Sequence, residues 1–208
     1  MTRHVIRSAR ASIWLLIVIP ICSLSCVAGA KTQVRDEDAM IGDVLKHLWS
    51  KSNIWSYPGS NYVVVARDTA PPLLLGAGNA KERLEENRQY ILNNLRVEGL
   101  DINPLIDALF AINCTPIRLQ LQSNRGNGYL IDYTGEYHHG SWRTFYKDHP
   151  NAAGMAEVSR PVYDDRTGIL LIYVGTHRES RAGMGILFVF RYEGEILIKL
   201  AEAELWIS

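Results

Sequence analysis

The sequence predicts an α+β fold in which N-terminal helices pack on a C-terminal antiparallel β-meander. Three observations carry that reading. Over 40–49, 81–95 and 103–110, apolar residues recur at the three-to-four spacing of a helix face. The last third is a series of apolar runs, 155–162, 169–175, 186–192 and 196–200, rich in Ile, Leu and Val. The connections between those runs are short, and short connections join neighbouring strands antiparallel. Helices early and strands late form segregated layers, with the early helices expected on one face of the sheet.

Each element has its own local reason. Met40, Ile41, Val44, Leu45, Leu48 and Trp49 share a helix face, and Asp36, Glu37 and Asp38 sit near its positive end. Tyr57-Pro58-Gly59-Ser60 breaks that helix. Tyr62 to Ala66 is a β-branched run that reads as a buried strand, ended by Ala70-Pro71-Pro72. Lys81 to Leu95 forms a second helix with a narrow stripe of Leu84, Ile91 and Leu95. Asn103 can cap a third, with Pro104 at its first position and Leu105, Ile106, Leu109 and Phe110 inward. Ile117, Leu119 and Leu121 alternate as in a strand with one wet face. Tyr129 to Tyr133 is its expected partner across the turn Asn124–Gly128. Ser141 caps a short helix carrying Trp142, Phe145 and Tyr146, which His149-Pro150 ends.

In the final third, Met155 to Val162 leads to a turn at Asp164–Gly168. Ile169 to Gly175 is almost wholly apolar, as expected of a strand covered on both faces. A loop from His177 to Gly183 leads to Ile186–Tyr192, and Glu193-Gly194 turns the chain into Ile196–Leu200. Leu205-Trp206-Ile207 keeps a strand pattern to the last residues, so Trp206 is expected to be buried.

Residues 1–30 are expected to be a signal peptide and 31–208 a single α+β domain. Arg3, Arg7 and Arg10 precede an apolar run from Ala11 to Cys22, and Ala28-Gly29-Ala30 offers small residues for cleavage before Lys31. The run is shorter than the roughly 20 residues that span a bilayer. A lipid anchor at Cys26 is the alternative, although Leu24 lies one place too close to that cysteine. The protein is therefore expected in the periplasm or outside the cell, and on a membrane only if lipidated.

Lysine plus arginine equals aspartate plus glutamate, 22 each, in 208 residues. That balance excludes a uniformly basic nucleic-acid binder. Removing residues 1–30 leaves 19 basic and 22 acidic residues and one cysteine, Cys114. No intramolecular disulfide is then possible, and Cys114 reads as a small core side chain.

From Trp142 to Ser208 a set of motifs recurs in order. They are Trp142-Arg143-Thr144-Phe145-Tyr146, His149-Pro150, Gly154, Ser159-Arg160-Pro161-Val162-Tyr163, Leu171-Ile172-Tyr173-Val174-Gly175, Ala182-Gly183-Met184-Gly185 and Leu205-Trp206-Ile207-Ser208. This stretch resembles a widespread group of bacterial exported proteins and lipoproteins for which no reaction is established. Tyr62 to Asp68 matches the group loosely. The resemblance implies export and the fold and supplies no catalytic residue. Some members carry a cysteine pair in the glycine loop, which this chain lacks.

Two function classes stay open. One is a non-catalytic envelope protein that binds a ligand or another protein. Arg178, Arg181, Gly183 and Gly185 are its candidate ligand-binding residues, because guanidinium groups and glycine backbone N–H groups suit an anion. The other is a small periplasmic hydrolase using Glu136, His138 or His139, which crowd with Asp148 and His149 into fourteen residues. His138 and His139 are adjacent and no HExxH-type spacing forces the ligands to converge, so no metal is assigned. No cofactor motif is present, no P-loop and no G-x-S-x-G elbow. Arg67-Asp68-Thr69, Ser159-Arg160 and the aromatics Trp142, Phe145, Tyr146 and Trp206 are the remaining candidates beside apolar runs. Asn113-Cys114-Thr115 formally fits a glycosylation acceptor.

The cleavage site is directly checkable. N-terminal sequencing of exported protein should begin at Lys31; a start at a lipid-bearing Cys26, or at Met1, would reject it.

Overall fold

The computed structural model describes residues 35–51, 54–55, 58–72, 80–134, 141–179 and 182–208. The expected signal peptide lies outside these residues. All of them fall within one compact unit, Gln33–Ser208. Four α-helices are described: α1 (Glu37–Lys51), α2 (Ala80–Asn94), α3 (Asn103–Ile112) and α4 (Trp142–Asp148). Seven strands form one mixed sheet: β1 (Tyr62–Ala66), β2 (Tyr129–Asp132), β3 (Ala152–Val158), β4 (Val162–Asp164), β5 (Ile169–Glu179), β6 (Ala182–Glu193) and β7 (Ile196–Ile207). The fold is α+β.

The strand order is β2-β1-β3-β5-β6-β7, with β4 also paired to β5. From β3 onward the pairing is antiparallel, as short connections require. At the other end β1 runs parallel to both β2 and β3. Parallel strands need long connections: α2 and α3 lie in the chain between β1 and β2, and α4 lies between β2 and β3, which flank β1. Phe145 of α4 is buried against Tyr62, Val64 and Ala66 of β1 and Met155 of β3.

Helices cover both faces of the sheet, not one. Met40, Ile41, Val44, Leu45 and Leu48 of α1 pack on Val63, Val65, Leu170, Ile172, Val174, Phe188 and Phe190. Leu84, Ile91, Leu95, Ile106 and Leu109 of α2 and α3 pack on Ile169, Leu171, Tyr173, Leu187 and Val189. The reason lies in β5. Successive strand side chains point to opposite faces, and every side chain from Ile169 to Val174 is apolar.

Three local readings are corrected by tertiary contacts. Residues 117–121 do not enter the sheet. They dock on the chain after β1, where Ile117 and Arg67 carbonyls accept from the N–H groups of Thr69 and Leu119, both at 2.8 Å. Their expected partner, β2, pairs with β1 instead, and Tyr129 and Ile131 share the core under α1 with Leu119. Asn103 does not cap α3 but is its first residue; the Asp101 carboxylate accepts the Asn103 N–H at 3.1 Å. Finally, 177–179 and 182–183 are strand rather than loop. β5 continues to Glu179 and β6 begins at Ala182, because β3 supports His177 from the other side.

Among the described residues no helix is long and apolar enough to cross a membrane. Trp206 is buried, at 6% exposure. Its indole N–H donates to the Tyr173 hydroxyl at 3.0 Å, and its ring lies 5.3 Å from that of His177. Trp206→Ala should lower folding stability by about 3–5 kcal/mol, the usual cost of removing a large core aromatic. A denaturation midpoint equal to wild type would show that the tail carries no packing.

Candidate functional site

The turn after α4 builds a cleft at one end of the sheet. The Ser141 hydroxyl caps α4 by accepting the Thr144 N–H at 3.2 Å. Trp142, Phe145, Tyr146 and His149 then recur at helical spacing, and neighbouring rings in this set lie 5.0–5.9 Å apart. Phe145 is buried, while Trp142 and Tyr146 flank it half-buried. Pro150 stops the helix and the chain turns into β3, with the Asn151 carbonyl accepting the Asn61 N–H at 3.0 Å.

Two hollows meet at Pro150 and Asn151. One, of about 340 Å³, is lined also by Asn61, Tyr62, Arg125 and Asp148. The other, of about 630 Å³, is lined by Pro58, Gly59, Ser60, Tyr146, Ala152, Arg178, Glu179 and Ala182. Arg178 and Asp148, far apart in sequence, thus open onto one cleft. Among the described residues its ionisable lining comprises Arg125, Arg178, Asp148 and Glu179.

Each group is held by a different constraint. The Arg125 guanidinium carbon stands 4.8 Å from the centre of the Tyr62 ring, a cation–π arrangement. Gly128 behind it takes φ +85°, and a Cβ there would fall 2.0 Å from the Trp49 ring, so only glycine completes this turn. The Tyr62 hydroxyl and His149 Nδ1 share a hydrogen bond of 3.3 Å. Burial lowers the pKa of His149 and Arg125 adds to that, against the opposing pull of Asp132 and Asp148. His149 therefore favours its neutral form more than a free imidazole does.

The glycine and arginine candidates have structural duties. Arg178 donates to the Ile54 carbonyl at 2.6 Å, and its own carbonyl accepts from the Tyr146 hydroxyl at 2.9 Å. It ties β5 to the chain beyond α1 and to α4. Gly183 and Gly185 form no anion-binding loop, since both lie in β6. The Gly183 N–H donates to the Ser208 carbonyl at 3.3 Å. A Cβ on Gly185 would fall 2.0 Å from Trp206 Nε1, and one on Gly183 would fall 2.6 Å from the Thr176 carbonyl oxygen. These glycines leave room for the indole and for close strand approach. Arg181, Glu136, His138 and His139 lie outside the described residues.

The other candidates also join segments together. Arg160 makes two bonds to Glu37, at 3.0 and 2.8 Å, and Ser159 Oγ accepts the Tyr173 N–H at 3.0 Å. Arg67 pairs with Asp68 at 2.8 Å, and Thr69 Oγ1 accepts the Ile117 N–H at 2.9 Å. Cys114 is exposed rather than in the core, its thiol turned back to the Phe110 carbonyl at 3.4 Å. Asn113 is buried, and its amide nitrogen donates to the Leu109 and Arg160 carbonyls, so it offers no surface acceptor for a glycan. Among the described residues no group of three His, Cys, Asp or Glu is placed to hold a metal ion.

Sequence reasoning missed Tyr62, Arg125 and Asn151. Tyr62 reads as a strand residue and Arg125 as part of a turn, and nothing local signals that the two stack. No protein-family model, curated protein or solved structure matches the chain.

Two predictions follow from this geometry. Gly185→Ala should cost about 1–3 kcal/mol by overpacking the Trp206 site; an unchanged melting temperature would deny the indole its seat there. Acid sensitivity should depend on His149. Its folded-state pKa is depressed, so its contribution is full above the unfolded value of 6.5 and is lost as pH falls through the folded value. The drop in Tm between about pH 7 and pH 5 should be smaller in His149→Gln than in wild type. Identical drops would assign the acid sensitivity elsewhere.

Proposed function

We propose that the protein is an exported envelope protein with a non-catalytic binding domain, and that it takes a small polar ligand in the cleft around Pro150 and Asn151. One observation carries this reading. The cleft concentrates planar hydrogen-bonding side chains, Asn61, Arg125, Asp148, Asn151 and Arg178, on a rigid frame of strand ends and one helix end. Such groups fix orientation in a binding site without any covalent step. Arg125 is the group best placed to meet an anionic substituent, because it is exposed and oriented by Tyr62.

The test is an NMR titration of the isotope-labelled protein with inorganic phosphate, succinate and an uncharged disaccharide. At least one probe should shift the amide signals of Tyr62, Asn151 and Arg178. An anionic probe should bind less tightly as salt is added. Arg125→Ala should weaken it about tenfold or more while leaving stability within about 0.5 kcal/mol. No response at the cleft from any probe, together with chelator-sensitive hydrolysis by the same sample, would replace this reading with the hydrolase.

A further inference from the structure

The sheet ends on β7, a twelve-residue strand that pairs with β6 on one side and with no described strand on the other. An edge of this length presents a row of backbone donors and acceptors to any matching strand. Its two ends are apolar and open: Ile196 is 67% exposed and Ile207 59%, more than any other large hydrophobic side chain among the described residues.

The register against β6 gives this edge a symmetry that the linear sequence hides. Glu202 lies opposite Phe188. Two β6 residues to either side, Lys199 and Glu204 lie opposite Phe190 and Ile186; four to either side, Leu197 and Ile207 lie opposite Tyr192 and Met184. All five therefore share the face that α1 covers. On the other face Ala201 and Ala203 lie one residue from the centre, and Ile198 and Trp206 three. The spacing is even because each half of β7 carries one register shift, at Leu200 and at Leu205. Read in either direction from Glu202, the strand presents small residues, then opposite charges, then large apolar ones.

We propose that two copies of this chain pair antiparallel along β7, about a two-fold axis at Glu202. Such an axis is perpendicular to the sheet and keeps each face on its own side, so residues equally distant from Glu202 meet. Leu197 then faces Ile207 of the partner subunit, and Lys199 faces Glu204 of the partner subunit, each contact occurring twice. Directly opposed residues of opposite charge or of matching apolar character are the unit of sheet stabilisation. Sliding the register by one pair in one direction would oppose Glu202 to Glu204. Sliding it in the other would set Leu197 against Glu204. The symmetric register is the one that matches charge and hydrophobicity together.

Glu202 meets its own counterpart on the axis, which opposes pairing. Lys199, at 2.8 Å on the same strand, offsets that repulsion. Charges and bulges are also what edge strands use to stay apart. The distinction here is that the charges complement themselves under a two-fold operation and the strand is apolar at both ends. The pairing would make one continuous sheet across both copies and set their clefts at its opposite ends.

Sedimentation velocity of the protein purified from an exporting bacterial host, over a wide concentration range, tests this. Wild type should move toward the dimer as concentration rises. Lys199→Glu and Glu204→Lys should each weaken association about tenfold or more, because each places like charges across the axis twice. The double variant Lys199→Glu/Glu204→Lys restores both pairs with reversed polarity and should recover the dimer. Circular dichroism and melting temperature show whether each variant is folded. A wild type that stays monomeric throughout, a dimer that survives the single reversals, or a folded double variant that stays monomeric would each overturn the proposal.

Discussion

Six consecutive side chains of β5, Ile169 to Val174, are removed from water, and alternation along a strand sends them to opposite faces. A strand of that kind is stable only with an apolar cover on each side. The rest of the architecture answers this requirement. Helix α1 closes one face and α2 and α3 close the other; β6 extends both cores sideways, while β3 adds Ala153, Ala156 and Val158 to the core under α1. The helices are thus partners of the sheet on both sides, although they precede its central strands in the chain.

Beyond Val174 the same strand changes character. Gly175 faces Gly185 across the β5–β6 ladder, and both occupy the face that carries Tyr173, His177 and Trp206. Large rings take the space that two glycines vacate: the Tyr173 hydroxyl lies 2.9 Å from where a Gly175 Cβ would stand. The indole of Trp206 fastens the end of β7 to β5 through that hydroxyl. The glycines that read as part of a loop are therefore a packing device, leaving room for Tyr173 and Trp206 in the hairpin bordering the cleft.

The polar residues beside the core act mainly as ties between segments remote in sequence. Arg160 reaches back to Glu37 at the start of α1, the Tyr192 hydroxyl reaches Asp43 at 2.9 Å, and Asp38 accepts the Gln120 N–H at 3.1 Å. All three anchor α1 on its face of the sheet, where Ile54 and Trp55 of the following chain join the same core. Arg178 does the same for the chain beyond α1. Hydrogen bonds to charged groups contribute more than neutral ones, so these few contacts orient a helix that apolar packing alone would hold less specifically. Of these residues Arg178 lines the cleft, which lies between the α4–β3 turn and the β5–β6 hairpin.

Local chemistry was enough to read much of this. The apolar spacing of α1, α2 and α3, the Ser141 cap, the proline stop after His149, the turn at Gly194 and the burial of Trp206 all depend on residues close in sequence or on a pattern within one element. The α+β class follows from their order. What local chemistry leaves open is which strands become neighbours and which face each helix takes. Residues 117–121 alternate as an edge strand would, yet β2 holds the place beside β1, while Leu119 reaches the same core from outside the sheet. Arg125 and Tyr62, Arg178 and Ile54, and Gly185 and Trp206 meet only after the sheet has formed. The sequence by itself determined the elements, because backbone preference and hydrophobic period act over a few residues. Tertiary structure alone decided the strand order, the two-sided cover and the cleft, because these depend on contacts between residues that are distant along the chain and are set by how the apolar faces fit together.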